Sequence, residues 1–307
     1  MNSIQTLAQL VDDHVFLVGR PPLGEFLGFI KSQAVDTSID DRTLANDWRA
    51  ANDHITELEK QEAGLADDPP LSEIGTALDA VRQRLTNDPI YQASFQVVPC
   101  KLASVELDRL VVFQKQINLG FVDELKERIG PDPSSEEVFR FCLPFDHATP
   151  PVNAMRVNQN SFAFVSPSTD LRVLDLDILP PSGLASYTPS GSVSGVVALM
   201  VGFGSNFLNV VSVDRRLILN NGSHRAYALR ELGITHVPCI VQVVSRREEL
   251  ELFPPVYANP DLYLKSARPP LLKDYFNDEL RKIVRVPRKL RQIRAVVQFE
   301  QVDMPAV

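Results

Sequence analysis

The sequence predicts a mixed α/β protein, with a helical region over residues 1–92 and an α/β domain over 93–307. Three observations carry this reading. Two apolar stripes at helical spacing lie within the first 92 residues. The stretch from Asn209 to Val243 reads as strand, turn, strand, glycine turn, helix, glycine, strand. Between Arg172 and Ile178, Leu174, Leu176 and Ile178 alternate with Asp175 and Asp177, the period of a half-buried strand.

In chain order, Leu7, Leu10, Phe16, Leu17, Phe26, Leu27 and Phe29 form only short apolar pieces, interrupted by Pro21-Pro22. Asp40 or Asp41 can cap a helix on which Leu44, Trp48, Ala51, Ile55 and Leu58 share one face. The loop from Gly64 to Pro70 stops it. A second helix from about Leu71 carries Ile74, Leu78, Val81 and Leu85, and the two stripes are expected to pack together as a hairpin. Phe95 to Pro99 reads as a short strand. Val105, Leu107 and Leu110 to Phe113 follow, then a polar Gln114-Lys115-Gln116-Ile117-Asn118 loop and a helix from Leu119 to Ile129, ended by Gly130-Pro131.

Residues 131–207 read as a long insertion, rich in Pro and Ser. Ser161 to Val165 is expected to be a strand. Ser182 to Gly195 reads as a Ser- and Gly-rich loop, and Val196 to Val201 as a buried strand, with a short helix as the competing reading. In the next block, Val210, Val211 and Val213 lead through Asp214-Arg215-Arg216 into Leu217-Ile218-Leu219. Asn221-Gly222 is a strong turn signal, Ser223 can open a helix, Gly233 ends it, and Val237 to Val241 forms the next strand. Beyond Val243 a helix is expected from Leu271 or Lys273 to Ile283, then a last strand from about Ile293 to Val302.

The totals narrow the function classes. Lys and Arg number 31 against 39 Asp and Glu, a formal charge of −8. With a pI near 5.2, the surface as a whole is not built to bind DNA without sequence preference. Cys100, Cys142 and Cys239 are far apart and form no metal-ligand pair; an odd, sparse count predicts reduced thiols in an intracellular, cytoplasmic setting. The first ten residues show no signal-peptide pattern, and no apolar run is long enough to cross a bilayer.

A glycine turn that opens a helix presents unpaired N–H groups and the positive end of the helix dipole, which suits an anion. Gly222, Ser223, His224 and Arg225 form such a turn, preceded by Asn221. On this reading backbone N–H groups near Ser223 and His224 cradle an oxyanion, Arg225 neutralises it, and His224 donates a hydrogen bond or relays a proton. The plain alternative is a capped helix start with a surface His and Arg.

The run Leu217-Ile218-Leu219-Asn220-Asn221-Gly222-Ser223-His224-Arg225, then Ala226, Ala228, Leu229, Leu232-Gly233 and Val237-Pro238-Cys239-Ile240-Val241, resembles the ParB/sulfiredoxin superfamily. Val98 to Ile129 is similar to that superfamily's first half. The resemblance implies a small α/β fold whose Gly–His–Arg turn holds nucleotide phosphates, with ATP, ADP or CTP and Mg²⁺ as the expected ligands. It implies a nucleotide-dependent kinase or NTP hydrolase, with a small-molecule substrate possible. Ser223 stands where the sulfinic acid reductases of the superfamily carry a reactive Cys, and a hydroxyl cannot do thiolate chemistry at neutral pH. No helix-turn-helix follows Val244, so a ParB-like DNA-associated or nuclease-like protein is the second reading and a non-catalytic scaffold the third.

Gln114, Lys115, Gln116 and Asn118 lie where the superfamily often places ligand contacts; a polar surface loop is the alternative. Glu106, Asp108, Asp123, Asp170, Asp175 and Asp177 are candidate carboxylates, none marked out by spacing, so the general base and metal ligands stay open. Phe145-Asp146-His147 and Ser166-Pro167-Ser168-Thr169-Asp170 are weaker candidates, with ordinary loops as the alternative. Arg281 to Arg294 is basic and without acidic residues; it can meet a polyanion or pair with the protein's own carboxylates. Nothing in the sequence sets the oligomeric state.

Overall fold

The computed structural model describes residues 10–36, 38–183, 188 and 190–305. Leu7, the first nine residues examined for a signal peptide, and residues 184–187 and 189 of the Ser- and Gly-rich loop lie outside that set. The chain is mixed α/β. It divides into two compact units, one built from residues 1–146 with 206–288, the other from 147–205 with 289–307.

The first unit begins with strand β1 (Val11–Leu17), helix α1 (Leu23–Gln33) and helix α2 (Asp41–Gln61). Asp40 caps α2, accepting hydrogen bonds from the N–H groups of Arg42 and Thr43. The short strand β2 (Leu71–Ser72), α3 (Asp79–Thr86) and α4 (Pro89–Ser94) follow. The expected hairpin of two helical stripes does not form. Leu44, Ala51, Ile55 and Leu58 of α2 pack with Phe16, Phe26, Ile30 and Val284, whereas Val81 and Leu85 of α3 enter the larger core with Val105 and Val237. The connecting loop explains the divergence. The Arg109 guanidinium donates to the carbonyls of Leu65 and Asp67, and the Arg216 guanidinium pairs with the Asp67 carboxylate. These bonds carry the chain away from α2 before α3 starts.

Next come β3 (Cys100–Glu106), β4 (Val111–Val112), β5 (Gln116–Asn118), α5 (Leu119–Ile129) and α6 (Ser135–Cys142). The stretch 95–99 is irregular; pairing starts one residue later, at Cys100. A Ser134–Glu137 capping box opens α6, whose Val138, Phe139 and Cys142 lie in the main core. The insertion drawn at 131–207 therefore includes a helix that belongs to the first unit.

The second unit holds β6 (Asn153–Asn158), β7 (Ser161–Ser166), β8 (Arg172–Leu179) and β9 (Val196–Gly202). The alternating strand and the apolar strand are where the sequence places them, paired antiparallel with each other. Neither has the expected burial: β8 is exposed along nearly its whole length and β9 is half-buried to exposed.

The chain returns to the first unit with β10 (Asn209–Val213), β11 (Arg216–Asn221), α7 (Ser223–Glu231), β12 (His236–Val243), α8 (Pro254–Ala258) and β13 (Arg281–Pro287). A final strand, β14 (Arg291–Val296), pairs with β7 in the second unit. The helix expected from 271 or 273 to 283 is only a 3₁₀ turn, Leu272–Phe276. Residues 281–287 are taken into an antiparallel ladder with β1 instead.

The main sheet runs β2-β3-β12-β10-β11-β4, and a second sheet runs β13-β1-β5. β10 is parallel to β12 and β11 to β4; β10–β11 and β12–β3 are antiparallel. Val210, Leu217, Leu219, Val237, Ile240 and Val241 are buried, as is Cys239, a small core residue whose thiol burial pushes well above its ordinary pKa. Among the described residues, no helix is long and apolar enough to cross a membrane.

Candidate functional site

The turn at residues 221–225 joins β11 to α7. Gly222 has φ +97°, a left-handed conformation that disfavours any side chain, and a Cβ there would meet the Leu208 side chain at 3.0 Å. The first helical backbone bond runs from Ala226 N–H to Gly222 C=O, 2.8 Å. The N–H groups of Ser223, His224 and Arg225 therefore precede the helical ladder. No side chain caps α7 among the described residues, and its first turn carries no acidic residue.

His224 is half-buried and faces α5. Its Nε2 accepts the Asn118 N–H at 3.1 Å, which assigns the ring proton to Nδ1, and Phe121 packs edge-on against the ring at 5.4 Å. Burial, then the nearby His14 and the Arg225 charge, push its pKa down to about 4. His224 is thus neutral at pH 7, with its ring N–H at Nδ1.

Arg225 departs from expectation. Its side chain is 5% exposed and turned inward, where Nη1 donates to the carbonyls of Phe141 at 3.1 Å, Cys142 at 2.7 Å and Asn206 at 2.9 Å. Two of these carbonyls end α6, where the helix dipole is negative, which explains why the guanidinium settles there rather than beside the turn. Its Nη2 is buried and makes no hydrogen bond among the described residues. Burial lowers its pKa to about 10, so it remains charged at neutral pH. A bidentate grip on a ligand by Arg225 is not the arrangement found; its positive charge is held on the carbonyls of Phe141, Cys142 and Asn206 instead.

Around His224 stand Asn118 and Gln116, which the sequence marks as candidate ligand contacts, and Asp12 and His14, which sequence reasoning missed. Asn118 caps α5 with its side chain, accepting from Phe121 N–H at 3.0 Å, and its Nδ2 donates to Asp12 at 3.1 Å. Asp12 lies against the start of α5, so close that a Cβ on Gly120 would meet its Oδ1 at 2.6 Å, and it pairs with Arg288 at 2.8 Å. His14, opposite Asn118 across the β1–β5 ladder, has a buried Nδ1 without a hydrogen-bond partner among the described residues, as has Gln116 Oε1. The polar run 114–118 was the signal for Gln116 and Asn118; for Asp12 and His14 the signal that could have served is the polar run 12–14 in strand β1.

Of the other predicted residues, Gln116 is in this region, whereas Gln114 donates to the Gln116 carbonyl and Lys115 pairs with Glu25 on the surface. Asn221 ends β11 beside an irregularity in its ladder with β10. Asp108 pairs with Arg230 and Asp123 with Lys126. Asp170 pairs with Arg172, and Ser166 and Ser168 accept hydrogen bonds within their own turn, the ordinary reading of that loop. Within the basic segment, Arg281 pairs with Asp278, Lys282 with Asp47 and Arg288 with Asp12.

Two cavities, about 340 Å³ beside Glu73, Ser135 and His236 and about 570 Å³ beside Arg82, Tyr91 and Lys101, are lined by residues outside the turn. Among the described residues no group of three or more His, Cys, Asp or Glu side chains is arranged to hold a metal ion. Asp12 is the carboxylate placed beside the Asn118–His224 contact, and it is shared between Asn118 and Arg288. No family model, no curated protein and no solved structure matches this chain.

Proposed function

We propose that the chain binds a phosphate-bearing ligand, a nucleotide, at the N-terminus of α7. One observation carries the reading: among the described residues α7 starts at a left-handed glycine with neither a capping side chain nor an acidic residue, and the buried charge of Arg225, in its first turn, is held on carbonyls with no carboxylate partner. Buried charges are ordinarily paired, and carbonyl dipoles offset only part of the charge. An oxyanion at the turn adds the missing negative charge and takes the N–H groups of Ser223 and His224. The Ser223 hydroxyl and His224 Nδ1–H are further donors. The resemblance of this turn to the ParB/sulfiredoxin superfamily favours nucleotide phosphates over other anions.

Mg²⁺ would travel with such a ligand, held mainly by phosphate oxygens, with Asp12 as a protein carboxylate beside the cluster. Phosphoryl transfer or NTP hydrolysis would build on the same site. A DNA-associated role is the weaker reading, because three members of the basic segment are already paired with the protein's own carboxylates.

Calorimetric titration with ATP, ADP, CTP and GTP, each with Mg²⁺, tests the proposal. Saturable binding of at least one nucleotide is expected, weakened about tenfold or more by Ser223→Asp, which places a like charge at the site. Absence of binding by all four, or affinity unchanged in the variant, overturns it.

A further inference from the structure

The β8–β9 ribbon wears its apolar residues outward. Residues directly opposite in an antiparallel pair share a face. Val173 lies opposite Val201, Leu176 opposite Leu199 and Ile178 opposite Val197, so one face consists of six apolar side chains in three rows. The other face carries Arg172 opposite Gly202, Asp175 opposite Met200, Asp177 opposite Ala198 and, at its end, Leu179 opposite Val196, so charged and apolar residues are mixed on it. An irregularity between Val173 and Asp175 puts Leu174 over Gly202, on that mixed face. Of the six-residue apolar face, four side chains are open to solvent, Val173 at 49%, Leu176 at 64%, Ile178 at 74% and Val197 at 72%, while Leu199 and Val201 are half-buried. A two-stranded ribbon is marginal in water unless one face is covered, and ordinary surfaces do not carry fully apolar strand faces.

We infer that this face is the contact surface for a second copy of the chain, the two ribbons packing face to face about a two-fold axis. Area favours this occupant. The exposed parts of the six side chains amount to roughly 400–500 Å² per copy. Two copies together remove on the order of 1,000 Å² of surface, the size at which a specific interface begins. Chemistry favours it too. The face offers no charge and no side-chain hydrogen-bonding group with which to select a polar partner. An identical face supplies the same three apolar rows, as a self-complementary two-fold contact requires. Packed sheets stand about 10 Å apart, a spacing Leu, Ile and Val side chains fill from both sides. The aspartates of the opposite face stay in water, which limits the stack to two ribbons.

Analytical ultracentrifugation of the full chain between about 1 and 100 μM tests this, since that range spans the affinity expected of an interface of this size. The wild-type chain is expected to sediment as a dimer at the upper end. The double substitution Leu176→Asp, Ile178→Asp is expected to weaken association about 100-fold or more, because it sets four carboxylates into the contact. Both side chains are exposed, so the folded chain tolerates the change, checked by an unchanged melting profile. Met200→Asp, which adds the same charge to the opposite face, is expected to leave the dimer intact. A monomeric wild type, a dimer that survives the double substitution, or a dimer equally lost in Met200→Asp overturns the inference.

Discussion

Helices α5 and α7 start within hydrogen-bonding distance of each other, joined by the His224–Asn118 contact, yet their starts are built in opposite ways. α5 is complete from within. Asn118 caps it, and the Asp12 carboxylate lies against Gly120, where the dipole is positive. α7 has Gly222 in place of a capping side chain and no acidic group in its first turn. A chain with 39 acidic residues does not lack carboxylates to place there. In the first turn of α7, Arg225 carries a buried positive charge that, among the described residues, is bonded to carbonyls alone, whereas the buried Arg268, 1% exposed, is bound by the carboxylates of Asp274 and Glu62. The difference teaches where the molecule has supplied its own anion and where its electrostatics favour one from outside.

The largest expected effect comes from the joint between the two helices. Burial pushes the pKa of His224 down to about 4 in the folded chain, from the ordinary imidazole value of 6.5 that it has when unfolded. The unfolded chain therefore takes up the proton first as pH falls. Stability from this group is fully present above 6.5 and is lost as pH falls toward 4, by up to about 3 kcal/mol. His224→Gln keeps an acceptor for the Asn118 N–H but cannot titrate. Urea midpoints measured between pH 7 and pH 4 should fall less steeply for the variant, and parallel slopes would break the link.

Next in size are the glycines. Gly120→Ala drives a Cβ into Asp12 and should cost about 1–3 kcal/mol, relieved when Asp12 is also replaced by Gly. Gly222→Ala forces a left-handed alanine against Leu208 and should cost about 1–2 kcal/mol, with no relief from Asp12→Gly. A thermal double-mutant cycle separates the two. The smallest effect should have the opposite sign. Ser223→Asp gives α7 the anion that α5 already has and should stabilise the chain by about 0.3–1 kcal/mol in low salt. A fall in melting temperature would mean that the start of α7 already has its counter-charge.

Much of the α7 region was legible in the sequence, because turn chemistry is local: Asn221-Gly222, Gly233 and the flanking β-branched runs fix two strands and a helix within a short span. The Asp40 cap and the stripe of α2 were readable for the same reason. What was hidden depends on distant partners. β1 begins with Asp12, Asp13 and His14, and becomes a strand because β13, from the other end of the chain, pairs along it. That pairing is also what prevents residues 281–283 from ending a helix. The inward turn of Arg225 could not be read either, since the carbonyls that hold it belong to α6 and Asn206. Alternation at 172–178 identified a strand correctly but misjudged its burial, because the period shows that one side is apolar and not whether a core lies against it.

The central claim concerns two backbone N–H groups, and amide NMR reads them directly. In ¹⁵N-labelled protein titrated with Mg²⁺-ADP or Mg²⁺-ATP, the Ser223 and His224 resonances should shift saturably and more than those of Leu119 and Gly120 at the start of α5, where an anion is already in place. Shifts confined to α5 or to the basic strand β13, with Ser223 and His224 unmoved at saturation, would contradict the account.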